Sequence, residues 1–354
     1  MLSKADVWRI TAVGLALLAG SFMTAGQEVG GLQPGAKAPS FTLQDQTGKT
    51  QNLSSLTGPK GLVLLFFRSA DWCPLCKGQL VDLERSQNAF AAKGIQIAAL
   101  SYDSPAILAD FAKRRSITYP LLSNPTSSVI DAFGIRNTQA TGMQVGIPYP
   151  GYYLIDPHGT IEKRFFGSGV ANRWTASNVY DALFNGFSLP APSRQLDATP
   201  HVTVTTSQSD DEVTPGFLVQ LLVSLTPGPE THVYAAGAEK MDYRPVSVKI
   251  DASDLYAAQN VSYPAPETMN FPELHQVVPV YTGKTVLSTI VSAQVNPKTM
   301  PSFAQESEMR VTGQLEYQAC TATVCFPPVK AALEWTVKLR PLDRDRAPEA
   351  IQHK

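Results

Sequence analysis

The four cysteines of this chain fall into two close pairs, Cys73 with Cys76 and Cys320 with Cys325. A cysteine does chemistry as a thiolate, either by attacking a disulfide or peroxide or by binding a metal. The first pair follows the apolar run Gly61 to Phe67 and opens a stretch in which Cys76, Leu80, Leu83 and Phe90 share one helical stripe. That position is a helix N-terminus, where unpaired N–H groups and the positive end of the helix dipole favour an anion. Cysteines so placed have pKa values of roughly 3.5 to 7.5, against about 8.5 for a free thiol. Cys73 is therefore expected to attack, and Cys76, one turn deeper, to resolve the mixed disulfide. Pro74 suits the first helical turn, and Trp72 is read as a packing and partner-contact residue. Zinc needs four ligands, and no histidine lies near either pair. An inert disulfide is the other bland reading, but a two-residue loop at a helix start is a reactive geometry. No metal and no cofactor is expected.

Around the second pair, Glu316 to Val329 reads EYQACTATVCFPPV: a strand running into Cys320, a short gap, Cys325 and two prolines. Spacing alone favours a disulfide that staples a loop.

Two kinds of periodicity surround these motifs. From about residue 34 to 187, buried-strand runs alternate with helical patterns, as in a sheet with crossover helices. A strand is expected at Ile95 to Ser101. A helix should follow from Ser104-Pro105 to about Arg115, and a shorter one should run from Thr126 to Phe133. A hairpin should turn at Asp156-Pro157-His158-Gly159, and a last helix should run from Ala171 to Phe184. Residues 188–200, with three prolines, read as a linker. Beyond them the period becomes two: Val311, Leu315, Tyr317 and Ala319 on one face, then Leu333, Trp335, Val337 and Leu339. Such alternation indicates an all-β sandwich with one face of each sheet on a core. The expected organisation is an α/β domain over 34–187, a β-sandwich over 201–341 and a loosely held polar tail over 342–354. At 354 residues, two domains are also what a single core's size limit suggests.

Lys4 and Arg9 precede an apolar stretch from Ile10 to Ala19 and then small residues, which reads as a secretory signal over 1–26, with an uncleaved anchor as the alternative. Export to the periplasm or cell envelope would place both pairs where disulfides persist. With 29 basic against 30 acidic residues, bulk-charge binding to nucleic acid is excluded.

The strand-to-CxxC segment, DWCPLCKGQL and GIPYPGYYLIDPHG together resemble the redoxin group of the thioredoxin superfamily, which includes AhpC/TSA peroxiredoxin-like and TlpA-like proteins. The resemblance implies a thioredoxin-like fold and places Pro150, with Pro148 as the alternative, at the cis-proline that helps hold a partner's backbone. Peroxiredoxins carry Pro-x-x-x-Thr/Ser-x-x-Cys; with Cys76 as the peroxidatic residue those positions hold Ser69 and Cys73. Their activating arginine would fall near Pro150, so that charge is absent; Arg68 is the candidate substitute, but its first reading is a solvated loop charge. The strand before the CxxC carries Phe66 and Phe67 where a thioredoxin usually has a buried acid, so proton transfer has no assigned residue. YQACxxxxCFPP, HVYAAG at 232–237 and VPVYTGK at 278–284 resemble the N-terminal domain of the thiol:disulfide interchange protein DsbD. That family has an immunoglobulin-like sandwich whose cysteine pair passes electrons to partners. Its transmembrane part has no counterpart in these residues, so a membrane electron donor is an expected partner alongside protein thiols and disulfides.

The expected function is an exported thiol–disulfide oxidoreductase in which Cys73 and Cys76 exchange with proteins and Cys320 and Cys325 relay electrons to or from them. A thiol peroxidase is the first alternative. A sandwich that only docks, with a structural disulfide, is the second.

Overall fold

The computed structural model describes residues 29–167, 172–184, 193–196 and 199–354. The segment read as a signal and part of the linker lie outside them.

The first domain is built on β3 (Gly61–Phe66), every residue of which is buried. Leu62 to Phe67 are fully excluded from solvent, each apolar side chain contributing about 1.5–3 kcal/mol by burial. Around it lie β1 (Thr42–Asp45), β2 (Thr50–Asn52), β4 (Ile95–Ser101), β5 (Leu121–Ser123), β6 (Gly151–Ile155) and β7 (Ile161–Phe166), in the order β2-β1-β5-β4-β3-β6-β7. β3, β4 and β5 run parallel, and β6 and β7 return antiparallel. This is a thioredoxin-like sheet. The helices are α1 (Leu53–Leu56), α2 (Pro74–Ala92), α3 (Pro105–Arg115), α4 (Ser128–Ala132) and α5 (Ala176–Phe184). The expected signals operate as read. Cys76, Leu80, Leu83 and Phe90 form the buried stripe of α2. Gly94, at φ +78°, turns the chain out of α2, Ser104 caps α3, and Asp156 accepts the Gly159 N–H in the hairpin turn.

One stretch read as helix is something else. Arg173–Trp174 form β8, which pairs in parallel with Phe217 and Leu218 of the second domain. Long-range pairing overrides local helical pattern there, and α5 starts only at Ala176, with the Thr175 hydroxyl accepting the Asn178 N–H at 3.1 Å.

The second domain is mostly β, with one short α-helix at Met300–Gln305. Its first sheet is β9 (Ser193–Gln195), β10 (Val202–Gln208), β12 (Phe217–Pro227), β15 (Tyr256–Ala258) and β18 (Thr285–Ala293), with β8 added beside β12. Its second is β11 (Glu212–Val213), β14 (Ser247–Ile250), β19 (Glu308–Tyr317) and β21 (Val329–Leu339). A third, of β13 (His232–Tyr234), β16 (Glu267–Phe271), β17 (Gln276–Tyr281) and β20 (Ala319–Cys320), carries the second cysteine pair. β19 and β21 alternate buried and outward residues as expected, and Val311, Leu315, Leu333, Trp335 and Val337 enter one core with Leu221 and Val223. β9 falls in the stretch read as linker, where its backbone completes the edge of the first sheet.

The two domains pack closely. Leu75 of α2 touches both cores, and Asn178 Nδ2 donates to the Leu218 carbonyl at 2.6 Å. A Cβ on Gly78 would sit 2.7 Å from Thr214 Oγ1 and 3.2 Å from Phe217 Cζ, so the helix approaches the sandwich only because residue 78 has no side chain. The tail is a correction to the expectation. Residues 341–354 lie against the first domain, with Ala347 at 2% exposure, because buried carboxylates there supply partners that composition does not reveal. Among the described residues no helix is long and apolar enough to cross a membrane. Gly78→Val is expected to overpack this junction, costing about 1–3 kcal/mol and lowering the thermal midpoint; an unchanged midpoint would contradict the close approach.

Candidate active site

Cys73 is the N-cap of α2, and its Sγ accepts the Cys76 N–H at 3.3 Å. Pro74 fills the first helical turn, where a missing N–H costs nothing. Cys76 Sγ accepts the backbone N–H of Arg68 at 3.3 Å. Arg68 is a correction: far from being a solvated loop charge, it places Nη2 3.2 Å from Cys73 Sγ. Its guanidinium also lies 5.4 Å from the Trp72 ring centroid. Trp72 in turn donates Nε1–H to the Tyr102 hydroxyl at 2.9 Å, which fixes the loop ahead of the cysteines.

Sequence reasoning missed Arg173. Its side chain is 1% exposed, and among the described residues none of its guanidinium nitrogens has a hydrogen-bond partner. Strand β8 carries it into the site, and its charge acts on both sulfurs. Only the pairing of β8 with the sandwich brings it there, a contact that leaves no local signal.

Both sulfurs are completely buried. Burial pushes the Cys73 thiol well up, and the hydrogen bond and charge of Cys76 push it further. Cys76 goes the other way. Its burial opposes ionisation, but the hydrogen bond from Cys73 and the guanidinium charges of Arg68 and Arg173 outweigh it and draw Cys76 well down. The expectation of an acidic Cys73 acting alone is thus corrected. Two sulfurs within hydrogen-bonding reach share one proton, and the first ionisation belongs to the pair.

Pro150 is buried immediately before β6, whose Gly151 pairs with Phe66 at the mouth of β3. It therefore lies beside the CxxC loop, but the cis bond implied by the resemblance is absent; no described residue has a cis peptide bond. The Tyr149 N–H donates to the Ile135 carbonyl at 2.8 Å and Pro148 bridges Arg136, which hold this segment extended, and trans is favoured by about 0.5–1 kcal/mol even before proline.

Two buried carboxylates meet at the domain junction. Asp82 of α2 accepts the Ala176 N–H at 2.6 Å. Asp210, from the sandwich, accepts the Thr175 hydroxyl at 3.0 Å. Burial, then the charge of Asp82, raises Asp210 to about 7.

Cys320 and Cys325 are bonded, with Cα atoms 4.0 Å apart. Cys320 is buried opposite His232 in the register of β13 and β20. Cys325 is exposed beside Val324, itself 54% exposed. The Tyr234 hydroxyl lies 3.6 Å from Cys325 Sγ.

The two pairs are not within reach of each other in this arrangement. β12 starts at Phe217, against Gly78 of the CxxC helix, and ends at Pro227, which pairs with Val202. The preceding residue, His201, stacks on Phe326 with ring centroids 3.6 Å apart, next to Cys325. Eleven strand residues lie between these ends, a span of roughly 33 Å at about 3.3 Å per step. β21, also eleven residues, measures the same distance along the other sheet. The direct relay expected from the sequence would need the pairs in contact.

A thioredoxin-like domain with a dithiol at a helix head, joined to a sandwich with a disulfide, defines the class as a two-domain redoxin. Residues 34–164 match the AhpC/TSA family and residues 203–335 match the N-terminal domain of thiol:disulfide interchange protein DsbD. A Mycobacterium tuberculosis protein that carries a peroxiredoxin name is 33% identical over 131 residues, covering 37% of this chain and 82% of that protein. Escherichia coli peroxiredoxin Bcp is 29% identical, covering 44% of this chain and 94% of that protein. Thiol-disulfide oxidoreductase ResA of Bacillus subtilis is also 29% identical, covering 43% of this chain and 75% of that protein. The chain belongs to the AhpC/TSA family through its first domain, fused to a DsbD N-terminal-like domain.

Two predictions follow from the electrostatics. Arg68→Met removes a positive charge at 3.2 Å from Cys73 Sγ and should raise the pair's first ionisation by about one unit or more, slowing iodoacetamide labelling near pH 6; an unchanged rate would contradict the role. Asp210 keeps its proton in the folded chain between its ordinary value of 3.8 and about 7, where the unfolded chain has lost it. Its contribution to stability therefore falls as pH rises through that window. Asp210→Asn should abolish this part of the slope in denaturant titrations at pH 4.5 and 7.5; identical slopes in both proteins would contradict it.

Proposed function

We propose that this chain is a thiol–disulfide oxidoreductase that acts on protein disulfides outside the cytoplasm. The observation that carries the reading is a buried dithiol at the head of α2, with the Arg68 guanidinium 3.2 Å from Cys73 Sγ and the charges of Arg68 and Arg173 drawing Cys76 down. In the reducing direction the pair's single proton passes to Cys76, and Cys73, at the helix mouth, attacks a partner disulfide as the thiolate. A Cys73–partner bond forms, and the partner's other sulfur leaves as a thiolate that takes a proton. Cys76 then attacks Cys73, forming the Cys73–Cys76 disulfide and releasing the second partner thiol. Two electrons have passed to the partner. The helix N-terminus and Arg68 favour the anion at each stage. Asp210, with Asp82, is a buried carboxyl pair able to hold a proton near neutrality. Export is supported by the basic, apolar and small-residue order of residues 1–26.

The exposed Cys325 suits exchange with a separate partner, a membrane electron donor among the candidates. A peroxidase reading is favoured by the peroxiredoxin relatives and by the arginine at Cys73, which suits a peroxide's developing charge; the missing Thr or Ser and the arginine absent at Pro150 weigh against it.

Cys76→Ser should accumulate mixed disulfides with oxidised protein substrates while Cys73→Ser accumulates none, read by non-reducing gels. Trapping by Cys73→Ser alone would reverse the two roles. Cys320→Ser with Cys325→Ser should leave the first domain's exchange rate unchanged, given the separation of the pairs; a large loss would show that a relay operates.

A further inference from the structure

The segment 341–354 does more than close the chain. Asp71, two residues before Cys73 and with a fully buried side chain, receives four donors from it. Arg346 gives Nε–H at 3.0 Å and also Nη2, Ala347 its backbone N–H at 3.0 Å, and His353 its backbone N–H at 3.1 Å. The His353 ring then stacks on Tyr102, with centroids 4.2 Å apart and planes at 7°, and its Nε2 meets Asp103 Oδ1 at 2.7 Å. Asp103 also holds the loop ahead of the cysteines through Ser69 Oγ and the Ala70 N–H, both at 2.7 Å.

On the other side of Cys73, one helical turn along α2, Lys77 is 1% exposed and points Nζ at the carbonyls of Asp343 and Asp345. Arg115 holds the Asp343 carboxylate at 2.8 Å. Ala347 belongs to the same buried cluster as Cys73 and Cys76, and Ile351 packs against it. The segment thus crosses the loop and first turn that carry the reactive sulfurs, and both sulfurs are closed to solvent.

We infer that Asp71, Tyr102 and Asp103 form a docking groove for an extended, cation-bearing protein chain, and that residues 341–354 occupy this groove until an incoming partner displaces them. The inference rests on the thiol-exchange reading and names its partner surface. A carboxylate as buried as Asp71 cannot be left unpaired without a large penalty, so a displacing chain must bring a cation and backbone N–H groups of its own. An aromatic or imidazole ring on Tyr102 would replace the His353 stack. The groove therefore selects partners that present a basic residue near the disulfide, and it shields the dithiol from other thiol reagents.

The test uses the full chain, a chain ending at Arg340, and a synthetic peptide of residues 341–354. Iodoacetamide labelling of Cys73 and Cys76 should rise at least tenfold in the shortened chain and return toward the starting rate when the peptide is added. A peptide with Arg346→Ala and His353→Ala should not restore it. With a disulfide-bonded protein as substrate, the native peptide should raise KM and leave kcat unchanged. Should the shortened chain fold poorly, the full chain carrying Arg346→Ala and His353→Ala gives the same labelling comparison. Labelling no faster without the segment, or peptide binding that leaves KM unchanged, would overturn the groove. Labelling measures access rather than exchange, so failure of the groove and failure of the oxidoreductase reading give different results.

Discussion

The burial of two adjacent sulfurs beside two guanidinium groups organises this molecule. A thiolate with no exposed surface is unstable unless fixed dipoles and charges replace its water. The Cys76 N–H, the Arg68 N–H, the Arg68 guanidinium and the Arg173 guanidinium supply that replacement. They come from three elements: the helix, the loop after β3, and the strand that reaches over to the sandwich. The site is consequently as much a product of domain docking as of the CxxC motif.

That docking gives the β-sandwich a role beyond carrying its own disulfide. By pairing β12 with β8 it seats Arg173, and by placing Asp210 against Asp82 it brings a carboxyl pair into the junction. Its own sulfurs stand at the far end of the sheets, with Cys325 open to solvent. The two cysteine pairs are thus held apart by the length of a strand, while the near end of the same sandwich places a guanidinium charge on the first of them.

What could be read from residues alone follows from the range of the forces involved. The strand at Gly61 to Phe66, the stripe of α2, the cap at Ser104 and the hairpin at Asp156 are fixed by contacts within a few residues, and their patterns stand in the sequence. The cysteine pairs were legible for the same reason. Arg68 was misjudged because its partner sulfurs are visible only once α2 turns back over the loop. Arg173, Asp210 and the docking of residues 341–354 depend on contacts across the whole chain; Arg346 and Asp71 are 275 residues apart. A polar composition such as that of residues 342–354 reads as loose until the buried carboxylate that receives it is known. The acidity assigned to Cys73 alone failed on a different point: a helix terminus stabilises one charge, and two adjacent sulfurs compete for it.

The most direct measurement is the ultraviolet thiolate absorbance of the intact chain, with Cys73 and Cys76 reduced and the Cys320–Cys325 disulfide preserved, followed across pH. The account predicts one thiolate per chain already present at neutral pH, with the second appearing only well above the ordinary thiol range near 8.5. Two thiols titrating together near that ordinary value would contradict it.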